Sequence, residues 1–117
     1  MAIDKLTKLP DPVSPVPNAV TLTSFQNNWS TNGLSFYQVL GNVVHLHCSI
    51  RNGTTTSGTV ILTMPPELAP TTISLAPMFY VSGAGSLCGY AAANVNRNIT
   101  ISNVTESSLV FDLYWTI

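Results

Sequence analysis

Two nine-residue segments alternate apolar and polar side chains with a period of two. In residues 42–50, one face carries Val44, Leu46, Cys48 and Ile50. In residues 109–117, one face carries Leu109, Phe111, Leu113, Trp115 and Ile117. Because successive side chains of a β-strand point to opposite faces, each segment is predicted to be a strand that covers a core on one side. No apolar period typical of a helix occurs after residue 20.

Shorter strand signals fill the rest of this region. They cover residues 34–40, 59–64, 73–81, 87–93 and 99–101, and turn-forming residues separate them. Residues 42–50 and 59–64 are predicted to form a long hairpin across a loop that contains Asn52-Gly53. Short strands at this spacing predict an all-β fold for residues 20–117. The expected architecture is an antiparallel β-sandwich, either jelly-roll-like or barrel-like.

Residues 1–19 differ from the rest of the chain. Ile3, Leu6 and Leu9 are spaced for one face of a short helix, and four prolines follow between residues 10 and 17. Prolines fix the backbone in an extended form, so an extended Pro-rich N-terminal arm is predicted. Such an arm is either a tether that packs on a neighbouring subunit or a larger assembly, or a passive linker or expression remnant.

The composition excludes several classes of partner. Only 8% of the 117 residues are charged and the net charge is -1, while Thr, Ser and Asn number 14, 12 and 10. A nucleic-acid partner is not expected, because the chain has no basic excess to neutralise phosphates. No apolar run suits a membrane helix and the N-terminus does not resemble a secretion signal, so folding in a reducing cytosol is expected. Cys48 and Cys88 are interpreted as buried thiols, with a disulfide as the alternative.

Catalytic and metal-binding patterns are sparse. Four charged residues occur between residues 12 and 111: Arg51, Glu67, Arg97 and Glu106. Because acid–base chemistry needs titratable groups close together, the prediction is a non-enzyme without a cofactor. His45 and His47 lie two residues apart and project from one strand face, where two ligands from one chain do not close a metal site. A symmetric trimer could bring six such nitrogens to one axis, which would suit an octahedral ion better than zinc. Otherwise the two histidines form a polar outer face, line a subunit interface or stack on a ligand.

Aromatic and loop residues suggest saccharide binding. Trp29 lies in a loop-like stretch, flanked by amides and hydroxyls, so its ring either stacks on a sugar or plugs the end of the fold. Trp115 lies on the inward face of the last strand and is predicted to be core. The candidate saccharide-binding residues are Trp29, Tyr37, His45, His47, Asn52 and Arg97.

Outward apolar residues indicate self-association. Strict alternation places four side chains away from the core: Val43, Ile61, Val110 and Tyr114. Scattered apolar residues are normal on protein surfaces, but a chain with so little charge favours burial of these positions against another subunit. A homo-oligomer is therefore predicted.

The order of the segments resembles a known family. It runs Trp-Ser-Thr-Asn-Gly at 29–33, Gly-Asn-Val-Val-His-Leu-His at 41–47 and Leu-Thr-Met-Pro-Pro-Glu-Leu-Ala-Pro at 62–70, before Gly-Ser-Leu at 85–87 and the final alternating strand. This pattern is similar to the small C-terminal modules of bacteriophage tail fibres and baseplate receptor-binding proteins. The chain departs from it at Cys48, at Glu67-Leu68-Ala69 and at the turn 94–98. The resemblance implies a β-sandwich head, usually a homotrimer on a virion, that binds host cell-surface saccharides.

The combined expectation is a bacteriophage virion protein, made in the host cytoplasm. A homotrimeric head would bind a host glycan, and the arm would attach to other virion proteins through Ile3, Leu6 and Leu9. One alternative is a capsid decoration or head-fibre protein anchored by the same arm. The other is a free carbohydrate-binding module, for which a monomer is expected.

Overall fold

The computed structural model describes residues 19–80 and 86–117, so the predicted anchoring residues Ile3, Leu6 and Leu9 lie outside the described residues. The described part is all-β, as predicted. Its strands are β1 (Ala19–Thr21), β2 (Ser30–Thr31), β3 (Phe36–Leu40), β4 (Val43–Arg51), β5 (Thr59–Thr63), β6 (Ser74–Tyr80), β7 (Leu87–Ala93), β8 (Asn98–Ser102) and β9 (Ser108–Thr116). A 3-10 turn, Pro66–Leu68, follows β5. Within these ranges no helix is long and apolar enough to cross a membrane.

The strands form one antiparallel, curled sheet that resembles half of a barrel. Its order is β1-β3-β4-β9-β6-β7-β8-β5, and β2 pairs with β4. Two residue pairs, Phe79 with Val110 and Tyr80 with Leu109, join the β1-β3-β4-β9 half to the β6-β7-β8-β5 half. Because these pairs make the sheet continuous, the two separate sheets of a sandwich are not confirmed.

The predicted long hairpin between β4 and β5 is wrong. All nine residues of β4 pair with β9, which has the same length, while β5 pairs with β8. Two hydrogen bonds tie the connecting loop to β8 and to the residue that follows it: Gly58 N donates to Ile101 O, and Asn103 N donates to the Ser57 hydroxyl. The loop thus carries the chain from one half of the sheet to the other.

The core lies on the inner face of the curl and draws on both halves of the sheet. The alternation predicted for β4 and β9 is confirmed: Val44, Leu46, Cys48, Ile50, Leu109, Phe111, Leu113 and Trp115 are all buried. The other half contributes Ile61, Met78, Ala91, Ile99 and Ile101. Trp115 is a core residue, as predicted, and its indole Nε1 donates to Leu68 O at 2.9 Å. Both cysteines are buried and unpaired, which confirms their interpretation as buried thiols.

The prediction that Ile61 faces outward is wrong. Ile61 is fully buried, and the pairing of β5 with β8 shifts register between Val60 and Leu62. A bulge of this kind inserts one residue into the alternation, so the side chains no longer follow a strict period of two. Ile61 therefore belongs to the core and is not available to another subunit.

The outer edge of β5 is covered by the segment that precedes β2. Gln26 N donates to Ile61 O at 2.8 Å, and the Asn27 side-chain amide donates to Val60 O at 2.6 Å. These bonds occupy strand carbonyls that an edge strand otherwise leaves open to another chain. They also place Trp29, two residues further on, above the end of the core.

Candidate functional site

Strand pairing gathers four side chains on the outer face of the sheet. His45 lies opposite Tyr114, and His47 lies opposite Asp112, in the β4–β9 pair. On the other side of β4, Phe36 lies opposite His47. Since residues opposite one another in an antiparallel pair project from the same face, the imidazoles, the carboxylate and the phenol ring meet. We call His45, His47, Asp112 and Tyr114 the outer-face cluster.

One carboxylate oxygen joins the two imidazoles. Asp112 Oδ1 lies 2.7 Å from His45 Nε2 and 2.9 Å from His47 Nδ1. A neutral imidazole has one N–H, so this geometry requires the Nε2–H tautomer of His45 and the Nδ1–H tautomer of His47. Asp112 Oδ2 receives no hydrogen bond from residues 19–80 or 86–117. It is the acceptor that a ligand can use.

The surroundings of Asp112 keep its carboxyl group ionised. Partial burial raises the pKa of Asp112, but the hydrogen bonds from His45 and His47 lower it, and so does the positive charge that either imidazole carries when it is protonated. The balance leaves the pKa below its ordinary value. Near neutral pH the group is therefore a hydrogen-bond acceptor rather than an acid.

Aromatic contacts fix the rings in place. The rings of His45 and Tyr114 stack at 4.4 Å between centroids and 6° between planes. Phe36, which is buried, stacks on His47 at 5.4 Å and meets His45 edge to face at 5.5 Å. Tyr114 is 56% exposed and the Asp112 side chain 44% exposed. Solvent thus reaches a preorganised acceptor beside an aromatic ring.

This arrangement suits a neutral, hydroxyl-rich ligand. A sugar hydroxyl can donate to Asp112, and the apolar face of the sugar ring can lie against Tyr114. The histidine nitrogens that face Asp112 already donate to its carboxylate. Among the described residues, no group of three or more His, Cys, Asp or Glu side chains could hold a metal ion.

The structure removes Trp29 from the saccharide candidates. The indole is 3% exposed, and its Nε1 donates to Thr54 O at 2.9 Å. Gly53 makes this possible, because its backbone approaches the indole so closely that a Cβ atom at this position would overlap the ring. The sugar-stacking prediction for Trp29 is therefore wrong, and the residue closes the end of the core.

The other saccharide candidates do not join the cluster. Tyr37 points inward and packs against the core. Asn52 is exposed with a φ of 64°, and at the usual rise of a strand it lies roughly 16 Å along the chain from His47. Arg97 lies in the β7–β8 turn, where its guanidinium donates to Met64 O at 3.2 Å. Of the six predicted saccharide-binding residues, the structure brings His45 and His47 together.

The remaining interface candidates lie on the outer face. Val43 and Val110 are half-buried there, and Tyr114 is exposed, as the alternation predicts. Tyr114 belongs to the outer-face cluster. There its ring stacks on His45.

Sequence reasoning missed the connection between Asp112 and the histidines. Alternation placed His45 and His47 on one outward face and Asp112 and Tyr114 on another. The register that aligns the two strands joins residues more than 60 positions apart, and no local signal specifies it. Phe36 was missed for the same reason.

No protein-family model matches this chain, and no curated protein matches it significantly.

Proposed function

We propose that this protein is a non-enzymatic bacteriophage attachment module. In this proposal it is a homotrimeric head of the tail-fibre or baseplate type, and it binds a neutral saccharide on the host cell surface. Two features support it: the all-β fold, and the segment order that resembles the C-terminal modules of such proteins. The finer architecture proposed is a jelly-roll-like sandwich made by the two halves of the sheet, which pack on a shared core.

The observation that carries the proposal is the exposed Asp112 carboxylate. Two imidazoles hold it beside the stacked ring of Tyr114. A preorganised side chain loses little freedom when a ligand binds, so even one such site can be selective. A single shallow site binds weakly, and several copies on one particle multiply the avidity. Weak, repeated contacts suit attachment to a polysaccharide. The arm of residues 1–19 would tether each head to the virion through Ile3, Leu6 and Leu9.

A capsid decoration or head-fibre protein is the second candidate. The burial of Trp29 favours it, because this burial removes one of the six predicted saccharide-binding residues from the surface. In that case the head mainly adds stability to the particle. Loss of the protein would then weaken particles and leave adsorption intact.

A glycan array of purified bacterial cell-surface polysaccharides tests the first candidate. The wild-type protein is expected to bind at least one polysaccharide. Asp112→Asn and Tyr114→Ala should each reduce this binding about 10-fold or more, because each removes one of the two recognition elements. Glu106→Gln and Val95→Ala are matched controls, since both residues are exposed and lie outside the cluster. Equal binding by the cluster variants and the controls would contradict the proposal, as would binding to no polysaccharide.

A further inference from the structure

The outer face of β6 and β7 is apolar and exposed. It consists of Ile73, Leu75, Pro77, Phe79, Leu87 and Tyr90, which we call the β6–β7 face. The exposed fractions of Leu75 and Leu87 are 62% and 67%. The face lies on the half of the sheet that does not carry the outer-face cluster.

Strand pairing makes these side chains one surface. Pro77 lies opposite Tyr90, and Phe79 lies opposite Leu87. The opposite face of the same strands packs in the core, where Met78 is fully buried. Neither strand can turn its outward side chains inward without exposing that core. The apolar character of this face is therefore not needed for the fold of the single chain.

The size and charge of the face point to a protein partner. The exposed fractions of its large side chains correspond to on the order of 500 Å² of surface, which is within the roughly 300–600 Å² of the largest apolar patch on a typical monomer, a patch that is often functional. The face surrounds a depression of about 660 Å³, and none of the residues that line it in the described part of the chain is charged. A nucleic acid or an anionic membrane would require lysine or arginine here.

We infer that the β6–β7 face is the surface through which copies of this chain associate. The inference rests on the homo-oligomer in the proposed function and names its interface. An uncharged apolar surface matches a second copy of itself without unpaired charges. Its area is more than half of the roughly 800 Å² per partner found in standard interfaces, and half-buried Val110 beside Phe79 extends it. Leu87, its most exposed member, would enter the depression of the neighbouring copy.

Sedimentation analysis of the full chain across micromolar concentrations tests the inference. The wild-type protein is expected to be an oligomer. Leu75→Ser and Leu87→Ser should each weaken self-association roughly 10- to 100-fold, as expected when a buried leucine contact is lost. Because both residues are exposed in the single chain, neither change should unfold it. Leu40→Ser is the matched control, since Leu40 is 53% exposed at the end of β3 in the other half of the sheet.

Three outcomes would overturn the inference. They are a wild-type monomer at every concentration, oligomers that survive both leucine substitutions, and a loss of association caused by Leu40→Ser instead. A monomer would indicate that the chain's own residues 1–18 or a different partner covers the face. The polysaccharide array separates this inference from the proposed function. If the leucine variants dissociate as expected but the wild-type oligomer binds no polysaccharide, only the proposed saccharide binding is contradicted. If the oligomer binds polysaccharide and both Leu75→Ser and Leu87→Ser leave its association unchanged, only the proposed interface is contradicted.

Discussion

Gly53→Ala is expected to destabilise the protein through the indole of Trp29. A Cβ atom at residue 53 would lie less than 3.0 Å from the Cγ, Cδ1 and Cδ2 atoms of the indole. Carbon atoms in contact prefer a separation of about 3.5–4.0 Å, so the ring must retreat by at least about 0.5 Å. These ring atoms are close to the backbone and the side chain is 3% exposed, so the ring has little room to move.

The size of the effect follows from two contributions. Overpacking a close-packed site costs about 1–3 kcal/mol. Displacing the indole also weakens the bond from Nε1 to Thr54 O, and a hydrogen bond of this kind contributes about 1 kcal/mol. The expected loss is about 2–4 kcal/mol in the free energy of unfolding. For a domain of this size, that loss lowers the melting temperature by roughly 10–20 °C.

Urea denaturation followed by far-ultraviolet circular dichroism measures this loss. Gly41→Ala is the control: Gly41 has a φ of +64°, and a Cβ atom there would meet no atom within 4 Å. It should cost about 1 kcal/mol, from backbone strain alone. If Gly53→Ala costs no more than Gly41→Ala, Trp29 is not held against the backbone, and its exclusion from ligand binding fails as well.

Three further predictions concern the cluster and the core. Asp112→Asn should lower the free energy of unfolding by at most about 1 kcal/mol at pH 7, because the carboxyl group is partly exposed. Since the pKa of Asp112 is lowered in the folded state, the stabilisation by its carboxylate is present above about pH 4 and is lost as the pH falls through the folded pKa. Urea denaturation curves of the wild-type protein and the variant should therefore converge at low pH. Ser35→Ala should cost about 1–3 kcal/mol in the same assay, because the buried Ser35 hydroxyl accepts from Ser49 N at 3.0 Å; a neutral effect would contradict that role. Cys48 should react with a disulfide reagent such as Ellman's reagent only after unfolding, because burial raises its pKa and hides the sulfur; reaction of native protein at the rate of an exposed thiol would contradict this.

The features that depend on the local alternation of apolar and polar residues could be predicted from the sequence. The long strands β4 and β9, their inward residues and the core position of Trp115 all follow from side-chain period and turn residues. The bulge at Ile61 escaped this reasoning, because it shifts the alternation by one residue without a glycine or proline to mark it.

Non-local pairing limited the prediction of the site. β4 pairs with β9 rather than with β5, because β9 has the same length and pairs with all nine residues of β4. These strands are far apart in the sequence, so the predicted β4–β5 hairpin was wrong. The same pairing brings Asp112 to His45 and His47. The burial of Trp29 depends on the close approach of the Gly53 backbone, which belongs to the loop between β4 and β5. The type of each strand was therefore predictable, and the meeting of side chains from distant strands was not.

The central claim is that the outer-face cluster holds a neutral saccharide. Nuclear magnetic resonance of the histidine side chains during titration with glucose, galactose, rhamnose and N-acetylglucosamine tests it most directly. The account predicts that at least one of these sugars, at millimolar concentration, shifts the His45 and His47 imidazole signals with saturation, and that Asp112→Asn abolishes the shift. If the protein binds a polysaccharide on the array but no sugar changes the His45 and His47 imidazole signals, the saccharide binds outside the outer-face cluster and the central claim is contradicted.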